Sequence, residues 1–501
     1  MRVDATNAVP LAGALQSPFL VWRRNRVPQS KLRPLDLPMP AIFLRARRAA
    51  GTAILIAAGA IALPASAGVL AVGFGVGLSP EAARASARAD LAAWLGRATL
   101  RRRELPLLAV ELARTGGSGR EVLYEARLTD ASLAAYRSEA LRIESRLRRF
   151  EAESAGGARP RADELGEWFA AVDQYRRLGA VLRLFSTSAP KEMALDEAAS
   201  RRRGVELLPA SADANEIAQR VKRDLGAAQP ARCRVIAPAG GELEEVSEFS
   251  AAVADALRGA LGTGAEEAAD CTLDGSYARV DGSTLLTLFL LDGSFNTRRA
   301  FLFALKGAAD APSRGLSPSA GEFVATLNRG QLRGGIQVDV RTGRGTRGLY
   351  YRPGERDTLL VKLDRPGYYY IVGHVQKDAV RFSYLMEIGE AGAANRFVRR
   401  VSAEQVHRWQ AVGEFTVEAP LGLEAVQVFA ASASPERLLP ATRLDPARNL
   451  YLLGSDPVAT VKRTRGLVRV NLTGASNPSG AKGTDASLQV GEAVLQFSTL
   501  P

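Results

Sequence analysis

The sequence predicts a multidomain α+β protein made of a small α+β domain with a helical hairpin, a second small α/β domain and a C-terminal antiparallel β-sandwich. Three observations lead to this fold class. The 501 residues exceed what one hydrophobic core usually serves. Apolar residues recur at helical spacing in the first half and in short strand-like runs in the second. Gly- and Pro-rich stretches separate these regions, near residues 155–160, 204–213, 307–321 and after 473.

Residues 39–67 have the pattern of a secretory signal peptide. The alternative is a transmembrane anchor, but the apolar run is shorter than the roughly 20 residues that span a bilayer. We therefore expect cleavage between Ala67 and Gly68, and no transmembrane span in the mature chain. Arg45 to Arg48 form the basic start, and residues 51–63 form the apolar run. Pro64 breaks the helix, and Ala65 to Ala67 give the small-x-small pattern.

The segment before this signal, residues 1–38, is interpreted as a non-native upstream extension. It shows neither sustained periodicity nor a helix cap, and proline interrupts it repeatedly. No Cys follows the apolar run of the signal, so the lipid anchor of a bacterial lipoprotein is not expected there. These features predict a protein of the periplasm or extracellular space, peripheral to the outer membrane at most.

The charge balance argues against a nucleic-acid-binding protein. Lys and Arg number 66 against 53 Asp and Glu, a formal net charge of +13. Nine of these basic and two of these acidic residues precede Gly68, which leaves about +6 for the expected mature chain. A dense basic stripe with interleaved aromatic residues, which nucleic-acid binding usually requires, is absent from the sequence.

The first predicted domain is residues 68–205. It begins with the glycine-bearing strand VLAVGFGVG and enters a helix through Ser79, a plausible N-cap, and Pro80. A glycine-rich strand hairpin and a second helix from Asp130 follow. Residues 164–185 keep an apolar period of 3.6, so they predict a third helix that forms a hairpin with the second. Its aromatic stripe is typical of core packing, and no cofactor is assigned to it.

Three elements of this region form a recognisable series: the glycine-bearing strand, the alanine-rich helix after Pro80 and the strand-to-helix element Val122 to Asp130. In these elements the region resembles FlgP-type outer-membrane lipoproteins. The lipid-acceptor Cys of that family is missing here. The resemblance implies a place at the cell envelope.

The second predicted domain, residues 211–306, reads as a strand, a crossover helix and an antiparallel meander. The chain's two cysteines, Cys233 and Cys271, each begin a predicted strand of this domain. Export to an oxidising compartment favours a disulfide between them, provided that the two strands are adjacent. The alternative is two buried free thiols. A metal or redox site is not indicated, because no His lies near and the spacing matches no ligand set.

A linker at 307–334, a β-sandwich at 335–472 and a C-terminal tail at 473–501 complete the predicted organisation. The sandwich is inferred from short strands bounded by Gly, Pro or Asp, at a spacing typical of about seven strands. Three phrases follow one another here: Tyr351-Arg352-Pro353-Gly354-Glu355, Asp364 to Tyr370, and Pro420-Leu421-Gly422-Leu423-Glu424. With these phrases the region resembles the bacterial domain-of-unknown-function family 4384, although the family's middle phrase is replaced at 383–389.

Two groups in the sandwich are candidates for a binding surface. Tyr368 and Tyr370 should share one face of a strand, with Tyr369 on the other. They form a carbohydrate or peptide platform in one interpretation and bridge the core and rim in the favoured one. The arginine loop, residues 341–347, could hold an anionic envelope polymer, while a solvated hairpin tip is the favoured alternative. Its three basic residues are Arg341, Arg344 and Arg347.

No convincing catalytic or metal-binding constellation emerges from the sequence. His374 and His407 are the chain's two histidines, and both fit structural positions. Ser188-Ala189-Pro190-Lys191 fits the S-x-x-K string of penicillin-recognising enzymes, but the companion motifs are absent and the proline disfavours the required helix. We therefore expect no enzyme activity, no cofactor and no metal.

The sequence favours a noncatalytic protein-interaction or assembly factor of the cell envelope. Its expected partners are other periplasmic or outer-membrane proteins, with peptidoglycan as a further candidate. The alternative function is a periplasmic ligand-binding protein for a glycan, a peptidoglycan fragment or a lipid. Exposed sheet edges favour the first function, and a large aromatic-lined pocket favours the second.

Overall fold

The computed structural model confirms a mixed α+β, multidomain architecture. The expected signal peptide and the Ser188 to Lys191 string lie outside the residues that it describes. Among the described residues, no helix is long and apolar enough to cross a membrane. The structure describes residues 68–99, 104–117, 121–156, 160–185, 193–208, 213–226, 232–240, 246–262, 270–305, 318–377, 380–389, 395–418, 421–474 and 488–501.

The first unit is a three-stranded antiparallel sheet covered by a helix. Its order is β1-β3-β2, with bounds β1 Val69–Gly77, β2 Glu111–Gly116 and β3 Val122–Thr129. Helix α1, Pro80–Ala98, begins at Ser79, whose side chain accepts the N–H of Ala82 at 3.1 Å. The glycines of β1 let α1 lie directly on the strand, since a Cβ at Gly75 would collide with the backbone of Ala83 and Ala87.

Three further helices extend the first unit. The two longest, α2 and α3, pack against each other as the expected hairpin, and Thr129 caps the start of α2. The last of the three, α4, includes the first residues of the stretch from residue 204 onward that was expected to be a linker. Their bounds are α2 Asp130–Ala155, α3 Ala162–Phe185 and α4 Glu197–Leu207.

The second unit is a sheet of order β4-β6-β7-β8, with β5 also paired to β6. Strands β4 and β5 run parallel to β6, while β6, β7 and β8 form an antiparallel meander, as the crossover pattern indicates. The elements are β4 Cys233–Val235, β5 Ala239–Gly240, β6 Cys271–Val280, β7 Ser283–Asp292, β8 Thr297–Leu305, α5 Ala214–Leu225 and α6 Glu248–Leu261.

Both faces of this second sheet are covered. Leu286 and Phe303 pack with α5 and α6 in one core, whereas Leu285 and Phe289 belong to the core of the first unit. Successive side chains of β7 therefore point alternately into two different cores. The first two units share a continuous hydrophobic interior.

The C-terminal unit contains two sheets that share a core. One has the order β10-β12-β16 and the other is nine-stranded, with β11-β20-β17-β13-β14-β19-β18 as its main path. Strands β15 and β9 pair with β13 and β20. The bounds are β9 Arg333–Gly334, β10 Val338–Thr342, β11 Tyr350–Tyr351, β12 Arg356–Leu363, β13 Gly367–Gln376, β14 Arg381–Leu385, β15 Arg399–Val401, β16 Gln410–Thr416, β17 Leu423–Ala431, β18 Arg443–Asp445, β19 Leu450–Gly454 and β20 Val490–Thr499.

The expected tail, residues 473–501, contains a strand of this large sheet. Strand β20 lies between β17 and β11, and its Ala493, Leu495 and Phe497 are buried in the shared core. The prediction of a tail was therefore wrong. The strand is stable here because it covers an edge of the sheet and buries its apolar side chains in the core.

The expected linker, residues 307–334, is likewise structured in its second half. Helix α7, Pro318–Asn328, packs beside helix α8, Pro457–Gly474, on the outer face of the large sheet. Phe323, Val324 and Leu327 of α7 are fully buried there. Burial of these apolar side chains explains why the segment folds onto the sheet.

A buried ion pair fastens these two helices. Arg465 of α8 pairs with Glu492 of β20 at 2.5 Å, and both side chains are almost fully buried. The same guanidinium donates to the carbonyl oxygens of Thr326, Leu327 and Arg329 at 2.6 to 2.7 Å. It therefore satisfies the last carbonyls of α7, which have no intrahelical donor.

Candidate functional site

The three basic side chains of the arginine loop are partly buried, and each contacts another part of the protein. Arg347 has only 9% of its side chain exposed and pairs with Glu104 at 2.9 Å and with Asp274 at 3.1 Å. Arg344 is half-buried and donates to the Tyr350 carbonyl at 3.0 Å and to Glu355 at 3.1 Å. Because buried cations need anionic partners, the loop is anchored within the protein.

The third arginine of the loop, Arg341, lies over the ring of Trp409 at 4.3 Å from the ring centroid. The ammonium group of Lys362 lies 4.9 Å from the same centroid. Cations at this distance are attracted by the ring quadrupole. The face of Trp409 is therefore used within the protein and does not form a free stacking platform.

Glu104 is the centre of the ion network that joins the three units. Its carboxylate binds Arg234 of β4 at 2.8 Å and Arg347 of the arginine loop at 2.9 Å. Its carbonyl oxygen accepts from Arg177 of α3 at 2.5 Å. Asp274 of β6 completes the network through Arg347. First, second and C-terminal units thus meet at one buried cluster.

The electrostatics of this cluster favour an ionised carboxylate. Burial raises the pKa of Glu104, but the guanidinium groups of Arg234 and Arg347 outweigh burial and hold the pKa at about 2. The cluster therefore has no proton to donate at neutral pH. The role of this cluster is structural: its ion pairs hold the three units together.

A second ion cluster joins α1 to the C-terminal unit. Lys362 of β12 binds both Asp90 of α1 and Asp339 of β10, and Arg97 of α1 binds Asp339 at 2.8 Å. Burial raises the pKa of Asp339, but Arg97 and Lys362 outweigh this and lower it overall. The two clusters hold α1 and the arginine loop on opposite sides of a common space.

That space is a groove of about 760 Å³ between α1 and the arginine loop. One wall is the small-residue side of α1, including Ser86 and Ala89, and the other includes Arg341 and Trp409. Phe74 of β1 and His407 also line the groove, and their rings stack with centroids 3.8 Å apart. The groove is large enough for an extended ligand and lies at a junction between units, where binding sites commonly occur.

A cavity of about 420 Å³ adjoins the groove and shares lining residues with it. It is also lined by Asn328 at the end of α7 and by residues of β20, among them Glu492, Val494 and Ser498. Arg97 and Glu104 line both spaces. We call the groove and this cavity together the seam.

A third cavity, about 1140 Å³, lies away from the seam between α2, α3 and β8. Three of its basic side chains already have acceptors: Arg142 binds Glu139, Arg298 binds Asp292, and Arg299 donates to the carbonyl of Asp224. This cavity offers a polar surface whose charges are largely satisfied locally.

The tyrosine surface expected on β13 is not exposed as a pair. Tyr370 is buried, stacks on Phe429 and is surrounded by apolar side chains beneath the helices, which excludes it from a surface platform. Tyr369 faces the opposite core, and Tyr368 is half-buried. Tyr370 lies inside because α8 and the segment around Leu438 cover that face of the sheet.

Cys233 and Cys271 are joined by a disulfide, with Cα atoms 4.6 Å apart. They occupy directly opposed positions of the parallel pair β4 and β6. This separation falls within the range that disulfides span without backbone movement. The bridge lies a few residues along β4 and β6 from Arg234 and Asp274 of the central ion cluster.

The two histidines have different surroundings: His374 is buried in the C-terminal unit, whereas His407 lines the groove. His374 is buried between Ser383, at 2.8 Å from Nδ1, and Gln427, at 3.1 Å from Nε2. Burial lowers its pKa to about 4, so it is neutral at pH 7. Burial and the charge of Lys362 also lower the pKa of His407. Within the described ranges, no group of three or more His, Cys, Asp or Glu side chains could hold a metal ion.

The sequence interpretation missed the acidic partners of the seam. Asp274 and Glu492 each interrupt an apolar strand, in CTLDGSY and VGEAVLQF. An acid at such a position signals a buried ion pair, because an unpaired buried charge is very costly. Glu104 carries no comparable signal, since it follows three arginines in an irregular segment.

The chain matches no known family model and no curated protein. Among solved structures, it is similar to the secreted protein HP1454 from the human pathogen Helicobacter pylori. The alignment has 12% sequence identity, covers 50% of this chain and 90% of that chain, and gives a TM-score of 0.21. At that TM-score the similarity carries no inference about fold or function.

Proposed function

We propose that this protein is an exported, noncatalytic cell-envelope protein that binds other proteins as a multidomain interaction or assembly factor. The observation that carries the proposal is the seam. Two ion clusters fix three units around a groove of about 760 Å³. Most charged groups that line the seam are paired within the protein, so the seam offers shape and hydrogen bonds for binding more than reactive groups.

Export is supported by two observations. The disulfide between Cys233 and Cys271 is typical of proteins that mature in an oxidising compartment. The first strand, β1, begins at Val69, directly after the expected cleavage between Ala67 and Gly68. We propose the periplasm or extracellular space as the location. Mass spectrometry of the protein from the producing cell, with thiol alkylation, should find Gly68 as the N-terminal residue and no free thiol.

We further propose that the C-terminal unit is a β-sandwich of the kind found in the domain-of-unknown-function family 4384. The phrases that carry this resemblance fall at structurally demanding positions. Gly354 and Gly422 both adopt positive φ, +83° and +156°, which favours glycine. The glutamate of the third phrase, Glu424, is buried in the core that the two sheets share. The FlgP-type resemblance remains a proposal for β1, α1 and β3.

The decisive experiment uses a photo-crosslinking amino acid in the groove. Ser86 of α1 is half-buried and lines the groove, whereas Ser145 of α2 is exposed and lies outside the groove and the cavities described above. We expect the photo-crosslinker at Ser86, but not at Ser145, to form discrete protein adducts in an envelope extract. Muramidase treatment of the extract should leave these adducts intact.

The alternative function, binding of a glycan or peptidoglycan fragment, makes a different prediction for the same experiment. Adducts at Ser86 would then contain sugar and disappear after muramidase treatment. That result, or equal labelling at Ser86 and Ser145, would contradict the protein-binding proposal.

A further inference from the structure

We propose that the arginines around a small space between the second unit and the arginine loop bind a phosphate group. This space has a volume of about 150 Å³, and we call it the arginine pocket. It lies beside the groove and shares lining residues with it, but the protein-binding role proposed for the groove assigns no ligand to it. A phosphate site needs cations around one space, uncompensated positive charge, unused hydrogen-bond donors and access from solvent.

Arginines from three parts of the chain line the arginine pocket. The described lining residues include one acid, Glu104, and four arginines. The arginines are Arg234 of β4, Arg258 of α6, and Arg344 and Arg347 of the arginine loop. A carboxylate presents two oxygens in one plane, which suits a single guanidinium group. A phosphate group presents three or more oxygens in different directions, so it can accept from arginines of several elements at once.

The ion pairs of the described residues leave positive charge around the arginine pocket. Asp255 of α6 pairs with Arg258 at 3.1 Å and with Arg352 at 3.0 Å, so two guanidinium groups share one carboxylate. The other three arginines of the lining are matched by three acids, Glu104, Asp274 and Glu355. An anion is attracted to such an excess of positive charge, and its binding would compensate the charge that Asp255 does not.

Two of the arginines have donors that the described residues do not use. The guanidinium of Arg234 donates to Glu104 through Nη2 at 2.8 Å, and its Nε lacks a hydrogen-bond partner among the described residues. The guanidinium of Arg344 makes both its hydrogen bonds, to the Tyr350 carbonyl and to Glu355, through Nη1. A guanidinium group carries five N–H donors, so both side chains can bind a further acceptor.

The arginine pocket is accessible from solvent. The side chains of Arg234, Arg258 and Arg344 are between 26% and 35% exposed, so a small solute can reach them without a change in the fold. The volume of about 150 Å³ holds several water molecules. A phosphate group needs the space of only a few waters, and it can therefore enter by displacing them.

Isothermal titration calorimetry of the full chain with inorganic phosphate, at constant ionic strength, tests the site. We expect saturable binding of one phosphate per chain. Acetate should bind at least about tenfold more weakly, because it has fewer acceptor oxygens and less negative charge. The proposal is overturned if phosphate shows no saturable binding, or if acetate binds with equal affinity.

A pair of variants locates the binding in the arginine pocket. Arg344→Gln removes one cation of the lining, and we expect phosphate to bind about tenfold or more weakly. Arg396→Gln is the matched control, because Arg396 is an exposed arginine of the same unit that pairs with Glu387 at 3.2 Å and does not line the pocket. The control should bind phosphate as the wild type does. Equal affinities of the two variants would place the phosphate elsewhere and overturn the proposal.

Chemical modification of the wild type keeps the test decisive if Arg344→Gln does not fold. Phenylglyoxal reacts with accessible arginines, and peptide mass spectrometry identifies the modified positions. Phosphate should slow the modification of Arg344 and leave that of Arg396 unchanged. If phosphate protects neither residue, or both equally, the site is not the arginine pocket.

The phosphate could belong to a soluble compound or to a lipid headgroup, which share this chemistry. Cosedimentation with phosphatidylcholine vesicles, with and without phosphatidic acid, distinguishes these sources. Cosedimentation that requires phosphatidic acid and is lost in Arg344→Gln assigns a lipid headgroup. Calorimetric binding of inorganic phosphate without cosedimentation assigns a soluble phosphate compound.

Discussion

Glu424 is a carboxyl group on the inner face of the C-terminal unit. It lies on β17 between Val375 of β13 and Phe497 of β20, in the shared core of the two sheets. Among the described residues, no hydrogen bond or ion pair reaches its carboxyl group. Burial therefore raises its pKa to about 8, so the group is largely protonated at neutral pH.

Replacing this group with a neutral isostere should stabilise the protein at high pH. The raised pKa means that the folded state binds a proton that the unfolded state releases, so wild-type stability falls between about pH 4.5 and 8. We expect Glu424→Gln to unfold with a free energy about 2 to 4 kcal/mol higher than the wild type at pH 9. At pH 4 the two should agree. Urea unfolding across this pH range measures the difference, and a less stable variant at pH 9 would contradict the expectation.

The contacts of the arginine loop could not be predicted from the sequence. Arg, Gly and Thr in series are typical of a solvated hairpin tip. The acids that bury Arg347 come from distant parts of the chain, with Glu104 separated from it by 243 positions. Local pattern carries no information about such partners. The disulfide, in contrast, was predictable, because both cysteines start strands of one small domain.

At the scale of elements, the contact between β1 and α1 depends on glycine. The helix backbone lies so close to Gly75 that a methyl group would collide with main-chain atoms of Ala83 and Ala87. Main-chain atoms cannot rotate away as side chains can, so the helix would have to shift.

We therefore expect Gly75→Ala to lower the free energy of unfolding by about 2 kcal/mol or more. Gly116→Ala is the matched control, since a Cβ on that β2 glycine would contact nothing within 4 Å. It should change stability by less than about 0.5 kcal/mol. Thermal and urea unfolding of both variants provide the comparison, and equal effects would show that the close approach is not limiting.

The Arg465 pair should be as important for α7 and α8. Arg465→Met leaves Glu492 charged and buried without its partner and removes the donors to the last carbonyls of α7. We expect a loss of about 3 to 5 kcal/mol and faster hydrogen exchange in α7. Lys462→Met is the control on the same helix, because its ion pair with Glu322 is 3.7 Å long and exposed. That change should be nearly neutral.

Helices and strands were predictable where the apolar periodicity agrees with the capping and turn residues at their ends. The N-cap at Ser79 and the meander of the second unit follow from local sequence. Helix α7 has apolar residues at helical spacing after Pro318, but a Gly- and Pro-rich neighbourhood obscured them. Strand β20 is buried on both faces, so it lacks the alternation that marks a half-exposed strand.

At the scale of the whole molecule, Glu104 holds three units together. Its folded pKa of about 2 lies below the unfolded value of 4.5. Its contribution to stability is therefore complete above about pH 4.5 and is lost as the pH falls towards 2. Arg234 and Arg347 would be left with fewer anionic partners if it were neutral.

Glu104→Gln should accordingly cost about 3 to 5 kcal/mol at pH 7 and progressively less towards pH 2. Glu144→Gln is the control, because its pair with Arg148 lies on the surface of α2 and should contribute less than about 1 kcal/mol. Urea unfolding from pH 2 to 7 measures both. A cost for Glu104→Gln that does not change with pH would show that its charge is not what joins the units.

The position of β20 has a consequence for how the chain matures. Its neighbours β9 and β11 lie about 150 positions earlier in the chain, and β17 about 65. A polypeptide that is synthesised or translocated from its N-terminus carries these strands, with a hydrophobic face, before their common neighbour arrives. The large sheet must therefore be completed last, after the Cys233 region has been delivered, and its long-range contacts make that step slow relative to helix packing. Until β20 arrives, the edge of β17 that it pairs with has no strand partner among the described residues.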